Sequence, residues 1–212
     1  MELFYICGID IGILHLGVSF IEVKYNIHID NYELSVVEIE LVDITKYTHN
    51  KVCKDECKLF HTNSVCDRVN HFIQEYKEKI NACKYIFIER QPITGITSVE
   101  QLLYNEFRSK SHLVSPNNIH KYFGLDKDVN KRKEKSIKIG MSILYPELLN
   151  KLYFYERKHD ITDSILIAYT GFNNLIKKQK EEKEEKEEKK EKEKKNINLK
   201  EFFEKYKYIK KV

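Results

Sequence analysis

The sequence predicts a mixed α/β domain built on a five-stranded sheet and followed by a charged tail. Three strand-like runs open the chain, and each of two later apolar runs follows an amphipathic segment with helical spacing. The 212 residues are 42% hydrophobic, which is enough to bury one core. Because a crossover helix precedes the fourth strand, we expect three antiparallel strands and then parallel strands, with helices flanking the sheet.

The strand signals are of two kinds. Residues 3–9 and 16–23 are apolar runs rich in strand-forming residues, whereas residues 33–44 alternate apolar and polar side chains as a half-buried strand does. The short polar segments between these runs are typical of hairpin loops. Two more apolar runs, residues 85–88 and 112–115, predict the fourth and fifth strands.

Helical spacing of apolar residues predicts four helices. The first spans residues 65–80, with Asn63 as its N-cap. Pro116 is expected to end the fifth strand, and Pro146 to end the third helix. The remaining helices are predicted over residues 98–110, 131–145 and 162–176.

Composition divides the chain into a body and a tail. Residues 177–195 contain ten Lys, eight Glu and one Gln, whereas acidic and basic residues nearly balance elsewhere. The nearly neutral body argues against a protein that wraps nucleic acid through bulk charge. We predict a folded domain over residues 1–177, a charged linker or solvated helix over 178–195, and a short amphipathic helix over 196–212. We expect the apolar stripe of that helix to dock on the body rather than on a partner; it comprises Leu199, Phe202, Phe203, Tyr206 and Ile209.

Cysteine usage and hydropathy indicate the compartment. Five cysteines, an odd number, favour a reducing, intracellular compartment over a disulfide framework. We expect no membrane association, since no apolar run is long enough to span a bilayer and no secretory signal is visible. Cys53, Cys57, His61 and Cys66 are candidate zinc ligands, but their spacing lacks the Cys-x₂-Cys pair of structural zinc sites. We therefore favour an incidental insertion rich in Lys and Cys.

Four carboxylates lie where predicted core elements begin or end. Asp10 ends the first strand and Glu89 ends the fourth. Asp160 and Asp163 are three residues apart at the start of the last helix, so they project from one face. Acidic side chains are rarely buried without partners, and four together would repel one another unless cations neutralised them.

Two divalent ions supply the positive charge that four carboxylates need. Mg²⁺ prefers oxygen ligands, and two ions roughly 3.5–4 Å apart can bind opposite sides of one phosphodiester. The set of four therefore predicts metal-dependent phosphodiester chemistry, although each member has an ordinary alternative. Asp10 could close a turn, and Glu89 could pair with Arg90 or Lys84. The two aspartates of the last helix could cap it and interact with its dipole.

Three short motifs surround these carboxylates. The first joins residues 6–12 (ICGIDIG) to 16–19 (LGVS), the second is 87–92 (FIERQP), and the third is 159–164 (HDITDS). They resemble the opening hairpin, the second acidic strand and the closing motif of the RuvC-like resolvases in the RNase H-like superfamily. The Ile-Glu-Arg-Gln sequence, together with residues 114–116 (VSP), makes the chain most similar to the poxvirus and yeast mitochondrial Holliday junction resolvases. We favour the poxvirus group.

This resemblance implies an RNase H-like fold and a crossover junction endonuclease, a metal-dependent endodeoxyribonuclease of DNA recombination and repair. It implies a homodimer that binds four-way branched DNA and nicks two opposed strands, without a small-molecule cofactor. By the same resemblance, Asp10, Glu89, Asp160 and Asp163 are the catalytic and metal-binding residues for two Mg²⁺ ions, which Mn²⁺ can replace. A viral enzyme of this kind would act in the host cytoplasm.

A locally basic segment lies between the second and third acidic motifs. Lysines there could hold the scissile phosphate or the neighbouring backbone, with Lys133 and Lys135 as the favoured pair. The alternative is a solvated helix start. The full set of candidate DNA-binding residues is Lys121, Lys131, Arg132, Lys133, Lys135 and Lys138.

Three other functions compete with junction resolution. An ATPase or kinase of the actin- and hexokinase-like class opens with a similar hairpin, but it needs two such halves. A different RNase H-like nuclease would act on RNA–DNA hybrids or structured nucleic acid. A junction-binding protein without activity would retain only the fold. Because fold does not determine substrate, the preference for four-way junctions depends on the resemblance alone.

Overall fold

A computed structural model of the protein describes residues 1–48 and 57–207. Its single sheet has the strand order β3-β2-β1-β4-β5, with β1, β2 and β3 antiparallel and with β4 parallel to both β1 and β5. The predicted mixed α/β sheet is therefore confirmed, strand for strand. The strands are β1 (Glu2–Asp10), β2 (Leu16–Asn26), β3 (Asn31–Val42), β4 (Cys83–Glu89) and β5 (Ser111–Val114).

Six α-helices surround the sheet in the described part of the chain, and a 3₁₀ helix over Ile44–Thr48 follows β3. Side-chain capping begins α1 at Ser64, whose Oγ accepts a hydrogen bond from the Cys66 amide at 3.2 Å. The predicted cap, Asn63, instead accepts from the Arg68 guanidinium at 3.3 Å. The helices are α1 (Val65–Ala82), α2 (Thr97–Glu106), α3 (Pro116–Phe123), α4 (Val129–Ile143), α5 (Pro146–Tyr153) and α6 (Lys158–Lys207).

Two of these helices were not predicted. α3 and α5 each contain eight residues and each begins at a proline, Pro116 or Pro146. Both prolines do end the preceding element, as expected, but each also occupies the first helical turn. Proline suits that position because its fixed φ matches the helix and its missing N–H would have no intrahelical partner there.

Both faces of the sheet are buried at its centre, where residues 6–9 of β1 lie. Along β1, Cys7 and Ile9 point into an apolar cluster that includes Phe72 of α1 and Leu103 of α2. The intervening residue, Gly8, points to the opposite face, where α6 lies. This alternation follows from the period of two in a strand, and it explains why the run is apolar throughout.

Two glycines allow α6 to lie directly against the sheet. A Cβ on Gly8 would overlap the backbone carbonyl of Ser164, and a Cβ on Gly17 would overlap that of Asp160. Neither carbonyl can rotate away, because each belongs to the helix backbone. The first turns of α6 are therefore held against β1 and β2 at the edge where β1 ends.

Contacts divide the chain into two compact units, Met1–Phe172 and Asn173–Val212. The second contains the Lys/Glu run, where α6 continues with pairs such as Lys177–Glu181 at 3.8 Å. The domain boundaries at 177/178 and 195/196 stay predictions. The docking of the C-terminal apolar stripe cannot be compared, because its side chains lie outside the described residues. Among the helices that the structure describes, none combines the length and the apolar character needed to cross a membrane.

Candidate active site

Asp10 and Glu89 are the last residues of two neighbouring parallel strands, β1 and β4. Their predecessors, Ile9 and Ile88, are register partners and are fully buried. Because the strands run in the same direction, both carboxylates emerge at the same edge of the sheet. The apolar residues before them fix the strands in the core and leave the acids at the rim.

Asp160 and Asp163 reach the same edge from α6. The helix begins at Lys158, so both aspartates lie in its first two turns rather than in a preceding loop. The contact between Gly17 and the Asp160 backbone brings this helix end against β2, beside the end of β1. All four predicted carboxylates are thus gathered at one edge of the sheet.

The carboxylates interact electrostatically as one group. Burial raises the pKa of Asp10 well above its ordinary value, and the charges of Glu89, Asp163 and Asp160 raise it further. Burial also raises the pKa of Glu89 and raises the pKa of Asp163 to about 6. Negative charge is therefore unfavourable at this edge unless a cation is present.

Each carboxylate outside β1 has a polar neighbour that orients it. The Gln91 amide donates to Glu89 Oε2 at 2.6 Å, and the Ser136 hydroxyl donates to Asp163 Oδ1. The Arg157 guanidinium binds both oxygens of Asp160, at 2.6 Å through Nε and 3.2 Å through Nη2. A third contact to Asp160 comes from His159, at 3.0 Å.

Sequence reasoning did not single out Gln91, Ser136 or Arg157. Gln91 and Arg157 lie only two and three residues from their partners, whereas Ser136 lies 27 residues before Asp163. The ordinary alternative for Glu89, a pair with Lys84, does not hold, because Lys84 pairs with Glu2 at 2.8 Å. Another carboxylate near the site, Glu100 of α2, accepts a hydrogen bond from the backbone N–H of Gln91.

The donor set fits hard divalent cations. It consists of four carboxylates, and oxygen ligands are those that Mg²⁺ prefers. No three of these four residues offer ligand atoms that all lie within 4.8 Å of one another in this structure.

Helix α4 turns part of the basic segment toward the carboxylates. Ser136 and Gly140 are buried on its inner face, where they meet Asp163 and Thr162 of α6. Arg132 lies one turn before Ser136 and is half-buried. Its positive charge lowers the pKa of Glu89 and of Asp163 and so opposes part of the rise that burial causes.

Lys133 is also half-buried, and it interacts electrostatically with His159. Burial lowers the pKa of His159, Asp160 opposes that shift, and Lys133 adds to it. Lys135, predicted together with Lys133, points elsewhere and donates to the Gly124 carbonyl at 2.6 Å. The exposed members of the candidate set are Lys121, Lys131, Lys135 and Lys138.

The sheet order and the helices around it define an RNase H-like fold. The chain is similar in structure to the fowlpox virus resolvase solved with its substrate Holliday junction DNA, at a TM-score of 0.57 and 16% identity; the match covers 82% of this chain and 99% of that one. A second structure of the fowlpox virus Holliday junction resolvase gives a TM-score of 0.54 at 16% identity, over 79% and 98% of the two chains.

A Thermus thermophilus RuvC structure is also similar, at a TM-score of 0.49 and 16% identity, over 79% of this chain and 92% of that one. No family model and no curated protein sequence matches the chain. The resemblance to the resolvases is therefore one of fold, at low sequence identity.

Proposed function

We propose that the protein is a metal-dependent endonuclease that resolves four-way DNA junctions. The observation that supports this most strongly is the gathering of Asp10, Glu89, Asp160 and Asp163 at one edge of the sheet. The fold that presents them is that of a resolvase crystallised with Holliday junction DNA. The sequence motifs and the carboxylate geometry thus support the same reaction class by separate arguments.

The four carboxylates would bind two Mg²⁺ ions, and Mn²⁺ is the expected substitute. When bound, the ions supply an activated water as nucleophile and charge stabilisation for the leaving 3′ oxygen. Ser136 and Gln91 hold Asp163 and Glu89 in fixed orientations before any ligand arrives. Such preorganisation reduces the rearrangement needed during the reaction.

Positive side chains of α4 would bind the DNA backbone. Arg132 and Lys133 are half-buried on the side of α4 that faces the carboxylates, which suits contact with the scissile phosphate. The exposed lysines of α3 and α4 would bind neighbouring phosphates, where each contact adds salt-dependent affinity without sequence preference.

The substrate requires two copies of the site. A four-way junction presents two equivalent strands on opposite sides of its centre, and one carboxylate cluster can cut one strand. A homodimer with two-fold symmetry places two identical clusters in the matching arrangement. We therefore include a homodimer in the proposed function.

Cleavage of an end-labelled synthetic four-way junction in Mg²⁺ tests this proposal. The controls are a linear duplex of the same arm sequence and an RNA–DNA hybrid. We expect paired, symmetric nicks in the junction alone, with ends that a ligase can seal. Cutting of the hybrid would instead identify another RNase H-like nuclease, and tight junction binding without cutting would identify a protein that only binds.

A further inference from the structure

Three side chains with metal-binding atoms meet away from the carboxylates. Cys57 and His61 come from the segment before α1, and His71 comes from the second turn of α1. One ligand atom of each lies within 4.8 Å of the other two, and no other such group occurs among residues 1–48 and 57–207. Of the four candidate zinc ligands in the sequence, Cys66 is outside this group, and Cys53 lies outside the described residues; the interpretation as an incidental insertion was favoured from spacing alone.

His71 has the hydrogen bonding typical of a metal-binding histidine. Its Nδ1 lies 2.7 Å from the Asp67 backbone carbonyl oxygen. Because a carbonyl oxygen only accepts, Nδ1 carries the proton and Nε2 presents a lone pair. The side chain is 3% exposed, and Nε2 is buried with no hydrogen-bond partner in the described part of the chain. In metal-binding histidines, one ring nitrogen binds the metal and the other donates a hydrogen bond that orients the ring. The bond from Nδ1 of His71 to the Asp67 carbonyl is of this kind.

His61 presents a second unsatisfied nitrogen beside the first. Its Nε2 is also buried and lacks a hydrogen-bond partner among the described residues. The two imidazole rings lie 4.5 Å apart between centroids and are tilted by 55°. Leaving two buried polar nitrogens without partners is unfavourable, and native proteins rarely do so without a water or an ion.

We propose that Cys57, His61 and His71 bind Zn²⁺ at a site separate from the carboxylate cluster. One thiolate and two imidazoles suit zinc, whereas Mg²⁺ requires oxygen ligands. Zinc holds such atoms at about 2.0–2.3 Å in a tetrahedral arrangement, so that pairs of ligands stand roughly 3.5 Å apart. Cys57 and His61 are half-buried, and rotation of their side chains on binding would close the remaining distance between the ligand atoms. Binding releases the Cys57 thiol proton to solvent, and water occupies the fourth position.

The site would fasten the segment before α1 to the helix. α1 buries Val69, Phe72 and Ile73 in the core beside the sheet. Zinc would join residues 57–61 to this buried helix and thereby stabilise the folded protein, since the unfolded chain has no preformed site.

Metal analysis of the full-length protein tests the proposal. The protein is purified under a non-thiol reductant, dialysed against a chelator, loaded with Zn²⁺, desalted and analysed by mass spectrometry of the metal. We expect one zinc ion per chain in the wild type and less than a tenth of that in Cys57→Ser and in His61→Ala. Cys66→Ser is the matched control, because Cys66 is an exposed thiol of the same region, and it should retain the full amount.

Cobalt provides a second readout that depends on the thiolate. Co²⁺-loaded wild type should show the visible bands of a tetrahedral site and a thiolate-to-cobalt band, and Cys57→Ser should lose the latter. Asp10→Asn should retain both, because it alters only the carboxylate cluster. Zinc should raise the melting temperature of the wild type and of Cys66→Ser but not that of His61→Ala. A wild type that takes up no zinc, or variants that bind it as the wild type does, would overturn the proposal.

Discussion

Burial of Asp163 raises the pKa of its carboxyl group to about 6, and the charges of Glu89 and Asp160 add to the effect of burial. An ordinary aspartate has a pKa of about 3.9, so the folded protein binds a proton at Asp163 more tightly than the unfolded chain does. The protonated Asp163 carboxyl therefore contributes its full stabilisation to the metal-free fold at pH values below the ordinary aspartate pKa. This contribution is lost as the pH rises through about 6.

The raised pKa of Asp163 predicts what happens to stability when its negative charge is removed. Metal-free Asp163→Asn should be more stable than the wild type at pH 8, by up to roughly 3 kcal/mol in the free energy of unfolding. The difference should shrink towards pH 4, where the wild-type carboxyl is protonated. Urea unfolding at the two pH values, with excess chelator, measures it.

Glu106→Gln is the control for this comparison. It removes an exposed carboxylate at the end of α2 and should change stability little at either pH. An Asp163→Asn protein that is less stable than the wild type at pH 8 would contradict the account of repulsion and burial.

The sequence was sufficient to select four carboxylates that lie together in the structure, because each follows or begins an apolar element where acids are rare; their metal-binding role stays a prediction. Ser136 and Arg157 were not predictable in the same way. A serine within a basic helix and an arginine just before another have many ordinary uses. Only the packing of α4 against α6 shows that Ser136 meets Asp163.

At the scale of elements, the contact of α6 with β1 and β2 positions two of the four carboxylates. That contact depends on Gly17, where any Cβ would meet the Asp160 backbone. Gly17→Ala should lower the free energy of unfolding by about 1–3 kcal/mol or more, and it should reduce cleavage further by displacing Asp160. Urea unfolding and cleavage assays on the same preparation measure both effects.

Val37→Ala on the neighbouring strand β3 is the matched control, since Val37 is exposed and its truncation creates no overlap. If Gly17→Ala were as stable and as active as Val37→Ala, the close approach of α6 would not be needed to place the site.

The orientation of α4 separates its basic residues into two groups. Arg132→Gln should lower the single-turnover cleavage rate about tenfold or more, because Arg132 lies beside the carboxylates. Lys138→Gln removes the same charge from the exposed face and should mainly weaken binding at higher salt. Equal effects on the cleavage rate would show that α4 does not orient these residues toward the scissile phosphate.

The strands were predictable because each is an apolar or alternating run bounded by turn residues. α3 and α5 were missed because an eight-residue helix has only two turns, too few for a helical period to be recognised. A usable signal was present, since a proline that follows Ser115 or Tyr145 is also a suitable first helical residue.

At the scale of the whole molecule, the Lys/Glu run and the segment beyond it are predicted to be separable from the folded body. A chain ending at Lys177 should fold, melt within a few degrees of the full-length protein and cut junctions at a similar rate. Size-exclusion chromatography, thermal melting and the junction assay test this together. Loss of expression, of the dimer or of activity would mean that the C-terminal segment belongs to the core or to the dimer interface.

Neither the substrate nor the dimer could be predicted from residue patterns alone. The carboxylates support a proposal of metal-dependent phosphodiester chemistry, but the same four residues would serve on an RNA–DNA hybrid or on a junction. In the proposed function, substrate choice depends on the shape of the surface that a dimer would present, and no spacing or periodicity in one chain encodes that shape.

The most direct test of the central claim measures binding and cutting of one four-way junction in Mg²⁺ by the wild type, Asp10→Asn and Asp163→Asn. Each Asn variant removes the charge of a carboxylate that we propose binds metal, and it leaves the basic residues proposed to bind DNA unchanged. We predict that both lose cleavage by at least about 10²–10³-fold and bind the junction with nearly wild-type affinity. Asn variants that cut at the wild-type rate would contradict the assignment of these carboxylates as the metal-binding centre.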